Sequence, residues 1–248
     1  MSGPEAGPYA ELVGQPEACL VDLYETLLSC DFSPNRRELP KLAGVAADAW
    51  NEAYAQLWAA VQVGQVGKAE AFEQTLRACG AAPSGDLVGA LVDRDRELHS
   101  ASAVLYDDAI PFLGRLRSAG IKTAIVSNCS EHTRRLLTEL GVIGLVDAVI
   151  LSCEVGAAKP SAEIFLRALD QLGVPASAAL FVDDQAAFCA GGAALGIRAV
   201  QIVRGELDGN RPAAGITVVR SLGEVAAMLW RSEVSNPGSG AKTGSGEG

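Results

Sequence analysis

Four short apolar runs in the second half of the chain, "KTAIVSN" (122–128), "DAVILSC" (147–153), "AALFVDD" (178–184) and "RAVQIV" (198–203), alternate with segments of helical period. The intervening "SEHTRRLLTELG", "SAEIFLRALDQLG" and "FCAGGAALG" each close near a glycine, as helices do. Alternation of this kind predicts right-handed crossovers and a parallel sheet covered by helices on both faces. A fifth run, Cys19 to Asp22, joins the same sheet. The chain between it and the others, from about Ser33 to Ser102, reads helical throughout. There "LAGVAADAWNEAYAQLWAAV" and "KAEAFEQTLRACG" space apolar residues three and four apart, and "GDLVGALVDRDRELHSA" offers a third helix.

The expected organisation is therefore α/β, a doubly wound parallel sheet with an all-helical insertion. The core is expected to cover residues 17–32 and 103–231, and the helical cap residues 33–102. Residues 1–16 and the tail 232–248, rich in Gly, Ser and Pro, carry too little apolar surface to pack and are expected to be flexible. No run of eighteen apolar residues and no signal-peptide pattern is present, so the reading is a soluble cytoplasmic protein without a membrane partner. A net charge of −10 without a basic stripe argues against nucleic acid as a partner. The six cysteines form no CxxC pair and are expected to be reduced thiols. The two histidines, His99 and His132, lack metal-ligand spacing, so zinc is not expected.

In an open parallel sheet, ligands bind beyond the carboxyl ends of the strands. The residues at those ends are Asp22, then Ser127 and Asn128, then Asp183 and Asp184, with Lys159 in the loop "VGAAKPSAEIF". Each feature alone is ordinary turn or cap chemistry; it is their order, each at or just after a strand end, that points to a site.

On these residues the chain resembles the haloacid dehalogenase-like hydrolase superfamily from about Ala18 to Val203. The superfamily's successive motifs match Asp22 with Thr26, then Ser127, then Lys159, then the acidic pair Asp183 and Asp184. The resemblance implies a Rossmann-like core with a helical cap over a small-molecule substrate. Asp22 would be the nucleophile of a covalent intermediate, Thr26 and Ser127 would donate hydrogen bonds to the transferred group, and Lys159 would balance charge. Three converging carboxylates call for a cation, and Mg²⁺ suits oxygen ligands. Its implied ligands are Asp22, Asp183, Asp184 and the main-chain carbonyl of Tyr24, while Tyr24 and Asn128 are expected to face the substrate.

Tyr24 is a departure. Many phosphatases of the superfamily carry a second Asp there, which protonates the leaving oxygen; a phenol of free pKa about 10 is a poor substitute. The superfamily's 2-haloacid dehalogenases have Tyr at this position, since a departing halide needs no proton. They also have a Ser/Asn-type fourth motif without a metal, a Tyr six residues after the Lys, and an Arg well past the nucleophile. This chain instead has Asp183 and Asp184, Phe165, and no Arg between Arg37 and Arg77. The expected function is an Mg²⁺-dependent phosphatase-type hydrolase. The alternatives are a dehalogenase-like carbon-centred hydrolase, or a regulatory protein that has lost turnover, which Tyr24 and Phe188 (in place of a polar residue four after Asp184) would permit.

Other residues attract structural expectations. His132 is expected in a solvated or capping role and His99 on the cap surface. Trp50, Tyr54 and Trp58 share one helical face and are expected mostly to pack the cap, with one of them lining the substrate mouth as the alternative; Arg36 and Arg37 read as solvated charge near its hinge, with holding an anionic substrate tail as the alternative.

Overall fold

The computed structural model describes residues 15–205, 211–212 and 214–230. Six parallel strands form one sheet in the order β5-β4-β1-β6-β7-β8: β1 (Ala18–Val21), β4 (Lys122–Ser127), β5 (Ala148–Leu151), β6 (Ala179–Asp183), β7 (Arg198–Ile202) and β8 (Thr217–Val219). The central strand is apolar along its whole length because both of its faces are covered. Cys19 and Val21 point into one core, which takes in α5 (Ala109–Ser118), α6 (Thr133–Glu139) and α10 (Leu222–Trp230). Ala18 and Leu20 point into the other, closed by α8 (Ala162–Leu172) and flanked by α9 (Ala186–Ala194). Phe165 of α8 meets Phe181 of β6 edge-on at 5.0 Å in that second core. Burying such side chains is worth about 1.5–3 kcal/mol each. No helix among the described residues is long and apolar enough to cross a membrane.

The chain leaves β1 toward β4 and β5 on one side, then crosses to β6 on the other. The switch point, where ligand crevices open, therefore lies at the carboxyl end of β1. Register does the rest. Val21 pairs with Ile125 on one side and Val182 on the other, so Asp22, the next residue, comes level with Val126 and Asp183.

After Asp22 a short antiparallel ribbon, β2 (Leu28–Cys30) with β3 (Ala103–Leu105), forms the two stalks of the insertion. Sequence periodicity does not show this ribbon, because three-residue strands carry too few alternations. Between the stalks lie α1 (Ser33–Ala43), α2 (Ala47–Gln62), α3 (Lys68–Ala78) and α4 (Gly85–Ser102), with their own core of Leu39, Trp50, Phe72, Leu76, Val88, Leu91 and Leu98. The apolar stretch 42–61 is not one helix: Gly44 turns left-handed (φ 69°) and separates α1 from α2. A second left-handed glycine, Gly64 (φ 68°), follows α2 and presses against α7 (Ser152–Val155), the one-turn helix after β5. A Cβ at that position would lie 2.0 Å from the carbonyl oxygen of Cys153, so no side chain fits. The expected flexible tail, 232–248, and residues 1–14 of the expected N-terminal linker fall outside the described residues.

Candidate active site

Asp22, Asp183 and Asp184 each present a carboxylate oxygen within 4.8 Å of the others, at the carboxyl ends of neighbouring strands. Lys159 reaches them from the loop before α8. Its ammonium is fully buried and donates to Asp22 Oδ1 at 2.5 Å and Asp183 Oδ2 at 2.6 Å. Burial alone would lower the lysine pKa, but these two carboxylates outweigh it and raise the value, so the group is cationic.

Two devices aim that lysine. Asn128 clamps its main chain from both ends, Oδ1 accepting from Lys159 N at 2.7 Å and Nδ2 donating to Lys159 O at 2.9 Å. The ammonium also lies over the rings of Phe181 (5.6 Å) and Phe188 (5.2 Å). Phe188 thus flanks the lysine where a polar partner is missing, and Asp183 supplies the orienting charge. Asn128 reaches the cavity described below, but the geometry makes its amide first a positioning group for Lys159.

Thr26 Oγ1 and Ser127 Oγ are buried and have no hydrogen-bond partner among the described residues. Buried hydroxyls are rarely left so; one stands in the loop after β1 and the other at the end of β4. The loop that carries Thr26 is pinned from behind. Arg204 donates to Thr26 O at 2.7 and 3.1 Å, pairs with Asp108 at 2.8 Å, and stacks on Tyr106 at 3.8 Å.

The three carboxylates also fit a hard cation chemically, since all offer oxygen and their charges oppose one another. Burial, and next the charge of Asp22, raise the Asp184 carboxyl from 3.8 to about 6. Burial likewise raises Asp183 even against Lys159. A raised carboxyl pKa means that the folded chain holds more protons than the unfolded one, so metal-free stability falls as pH rises from about 4 to about 6. Asp184→Asn removes this term. In EDTA the variant should melt above the parent at pH 7, by about 2–4 °C for an effect of order 1 kcal/mol, with the gap closing toward pH 4. Melting curves that stay parallel from pH 4 to 7 would show that Asp184 is not held in this way.

Tyr24 turns its side chain away from acid–base work. Its hydroxyl lies 2.9 Å from His99 Nε2 and 3.0 Å from Thr133 Oγ1, and burial pushes its pKa well above 10.0. His99 is buried rather than on the insert's surface, and burial lowers it to about 4, so it is neutral at pH 7. His132 is likewise buried. It occupies the N-cap position of α6 without a side-chain capping bond, and its Nε2 faces Asp95 Oδ2 at 3.4 Å.

Between the insert and the strand ends lies a cavity of about 730 Å³. Tyr24, Asn128, Cys129 and Ser130 form its floor, and Trp50, Tyr54 and Trp58 contribute to its walls, as does Arg36. Trp50 and Tyr54 both pack on Phe72, each at 5.6 Å between ring centroids, the expected role for that face, and all three aromatics also line the cavity. A buried polar cluster that sequence reasoning misses stands in the same wall. Lys68 Nζ pairs with Asp95 Oδ2 at 2.8 Å and donates to Tyr54 at 2.8 Å, while Asn35 Nδ2 donates to Asp95 Oδ1 at 2.8 Å.

Comparison with known proteins bears on this geometry. The family model of haloacid dehalogenase-like hydrolases matches residues 16–196. The chain belongs to the haloacid dehalogenase-like hydrolase family. It is 35% identical over 115 residues to a glyceraldehyde 3-phosphate phosphatase of Methanopyrus kandleri, a match covering 46% of this chain and 49% of that protein. The match thus spans about half the length of that relative. It is 29% identical over 196 residues to (S)-2-haloacid dehalogenase 1 of Pseudomonas sp. strain CBS-3, covering 75% of this chain and 84% of that one. Among solved structures, the crystal structure of a dehalogenase superposes with a TM-score of 0.62 at 27% identity, covering 88% of this chain and 99% of the other. The hydrolase family therefore includes similar proteins of both chemistries.

Proposed function

We propose that this hydrolase is an Mg²⁺-dependent phosphatase acting on a small phosphorylated metabolite, with residues 33–102 as a cap over the core. The observation that carries the reading is the convergence of Asp183 and Asp184 on Asp22 around Lys159. Displacing a halide needs no such acidic set, whereas a phosphoryl group brings negative oxygens that a cation, a lysine and hydroxyl donors must meet. Bound Mg²⁺, held by Asp22, Asp183, Asp184 and the main-chain carbonyl of Tyr24, would keep the carboxylates ionised and neutralise phosphoryl oxygens.

The chain's own groups then divide the work. An oxygen of Asp22 attacks phosphorus, forming an aspartyl phosphate as the ester P–O bond breaks and its electron pair leaves on the alcohol oxygen. Thr26 and Ser127 donate to the phosphoryl oxygens, and Lys159 offsets charge on the nucleophile and the transition state. Water hydrolyses the acyl phosphate and returns Asp22.

Dehalogenation is the second reading, favoured by Tyr24 and by similarity to the Pseudomonas dehalogenase over most of its length. Against it stand the acidic pair and Phe165, which is buried in the core against Phe181 and offers the site no hydroxyl. A panel of phosphate esters and 2-haloacids, assayed with Mg²⁺ and with EDTA, separates the two. Phosphate release is expected with Mg²⁺, to fall at least about tenfold in EDTA, and to weaken together with Mg²⁺ affinity in Asp183→Asn and Asp184→Asn. Halide release indifferent to EDTA would replace this reading with the dehalogenase, and metabolite binding without turnover of either class would replace it with a regulatory role.

A further inference from the structure

Two thiols meet where the sheet ends, and the hydrolytic chemistry uses neither. β4 and β5 run parallel with Ser127 opposite Leu151, and two residues further along each chain stand Cys129 and Cys153. Neighbouring strands lie about 4.7–4.9 Å apart, within the roughly 4.4–6.8 Å between Cα atoms that a disulfide spans. Ser152 keeps the two chains together past the last pair. Its Oγ accepts from Cys129 N at 2.9 Å and donates to Cys129 O at 3.4 Å. Cys129 belongs to one of the two sheet-face cores, Cys153 packs against that same core, and both are free thiols.

The two sulfurs are not equivalent. Cys129 is 2% exposed, whereas Cys153 is half-buried. The Cys129 thiol donates to the Cys153 sulfur, and this bond raises the first well above its ordinary pKa and lowers the second. A thiol that is both lowered and open to solvent is the one a soluble oxidant attacks. Elsewhere burial works the other way: it pushes Cys30 up to about 12 and raises Cys19 and Cys189.

We propose that Cys153 and Cys129 are a modification site for hydroperoxides, closing reversibly into a disulfide that loosens the grip of Asn128 on Lys159. The Cys153 thiolate attacks a peroxide oxygen; an S–O bond forms, the O–O bond breaks, and the leaving oxygen departs as water or alcohol once protonated. The Cys129 sulfur then attacks the Cys153 sulfenic acid. An S–S bond forms, the S–O bond breaks, and hydroxide leaves with the Cys129 proton as a second water, so two thiols are oxidised and one peroxide is reduced. The consequence reaches the site through one peptide unit. Asn128 immediately precedes Cys129, and its amide holds the main chain of Lys159 at both ends. Drawing the two sulfurs to about 2.05 Å pulls residue 129 toward α7 and takes Asn128 with it.

The test treats the reduced full chain with a small excess of hydrogen peroxide. The intact protein is expected to lose two hydrogens, and a non-reducing digest to yield one crosslinked peptide joining Cys129 to Cys153, which dithiothreitol reverses. Cys129→Ala should instead stop at the Cys153 sulfenic acid, trapped by dimedone, and Cys153→Ala should form no crosslink. Hydrogen exchange at Lys159 N–H, which Asn128 Oδ1 holds at 2.7 Å, should quicken at least about threefold in the oxidised parent and not in treated Cys153→Ala. Release of 4-nitrophenol from its phosphate should fall at least about tenfold on oxidation of the parent and recover with dithiothreitol, while Cys153→Ala stays within about twofold of the reduced parent throughout. Oxidation that settles on Cys30 or Cys79 and leaves Cys129 and Cys153 free would overturn the proposal. So would a crosslink that changes neither the exchange nor the turnover. A crosslink that quickens exchange in a protein releasing no phosphate would keep the redox pair and count against the phosphatase reading alone.

Discussion

Asp22→Asn is expected to leave the protein folded and to lower phosphate release by at least about 10³-fold. The amide is nearly the same size as the carboxylate, and its oxygen can still accept from Lys159, which lies 2.5 Å from Asp22 Oδ1. Burial is the main cause that raises Asp183 and Asp184, and the substitution removes the Asp22 charge that adds to it, so the thermal midpoint in EDTA should hold or rise. An amide oxygen does not form a stable bond to phosphorus. Single-turnover assays with a chromogenic aryl phosphate read the effect directly. Residual activity above about a hundredth of the parent would remove Asp22 from the nucleophile's role.

The second large effect concerns the leaving group. A positioned general acid usually contributes about 10²- to 10⁴-fold, roughly 3–5 kcal/mol of barrier. Here the residue two after Asp22 is a tyrosine whose hydroxyl is occupied by His99 and Thr133 and whose pKa burial raises further. With no proton supplied, the departing oxygen must carry its own charge. Aryl and acyl phosphates should therefore outrun unactivated alkyl phosphates by about that factor when chemistry limits turnover. A panel of esters graded by alcohol pKa, measured as kcat/KM with the chemical step shown to be limiting, gives the slope. Equal rates for 4-nitrophenyl and ethyl phosphate would mean that some other group delivers the proton.

Much of this architecture can be read from the residues, for reasons that also explain the gaps. β1, β4 and β6 are apolar nearly from end to end because a parallel sheet is covered twice, and each gives way to a polar residue, so the strand-end positions of Asp22, Ser127 and Asp183 stand out in the bare sequence. Lys159 is placed by its motif. Asn128's grip on its main chain and the pressure of Phe188 on its ammonium are not, since both are contacts between segments distant in sequence. The polar wall of the cavity is harder still: Asn35, Lys68 and Asp95 come from three helices, and each looks like a surface residue in its own segment. Asp95 did carry a signal. Val88, Leu91, Asp95 and Leu98 are spaced three and four apart, so the acid and its neighbour His99 occupy the buried stripe of α4. A charge in that stripe has to find a partner, and the partners are Lys68 and Asn35.

Gly64 makes the helical insertion and the sheet mechanically one piece. Because a Cβ there would lie 2.0 Å from the Cys153 carbonyl oxygen, the two meet at that point through main chain, and no other amino acid fits without a shift. A side chain at residue 64 would act as a wedge, pushing the insertion off its footing and carrying the cavity-lining Tyr54 and Trp58 of the preceding helix with it. A change at Trp58 itself would alter that wall only locally.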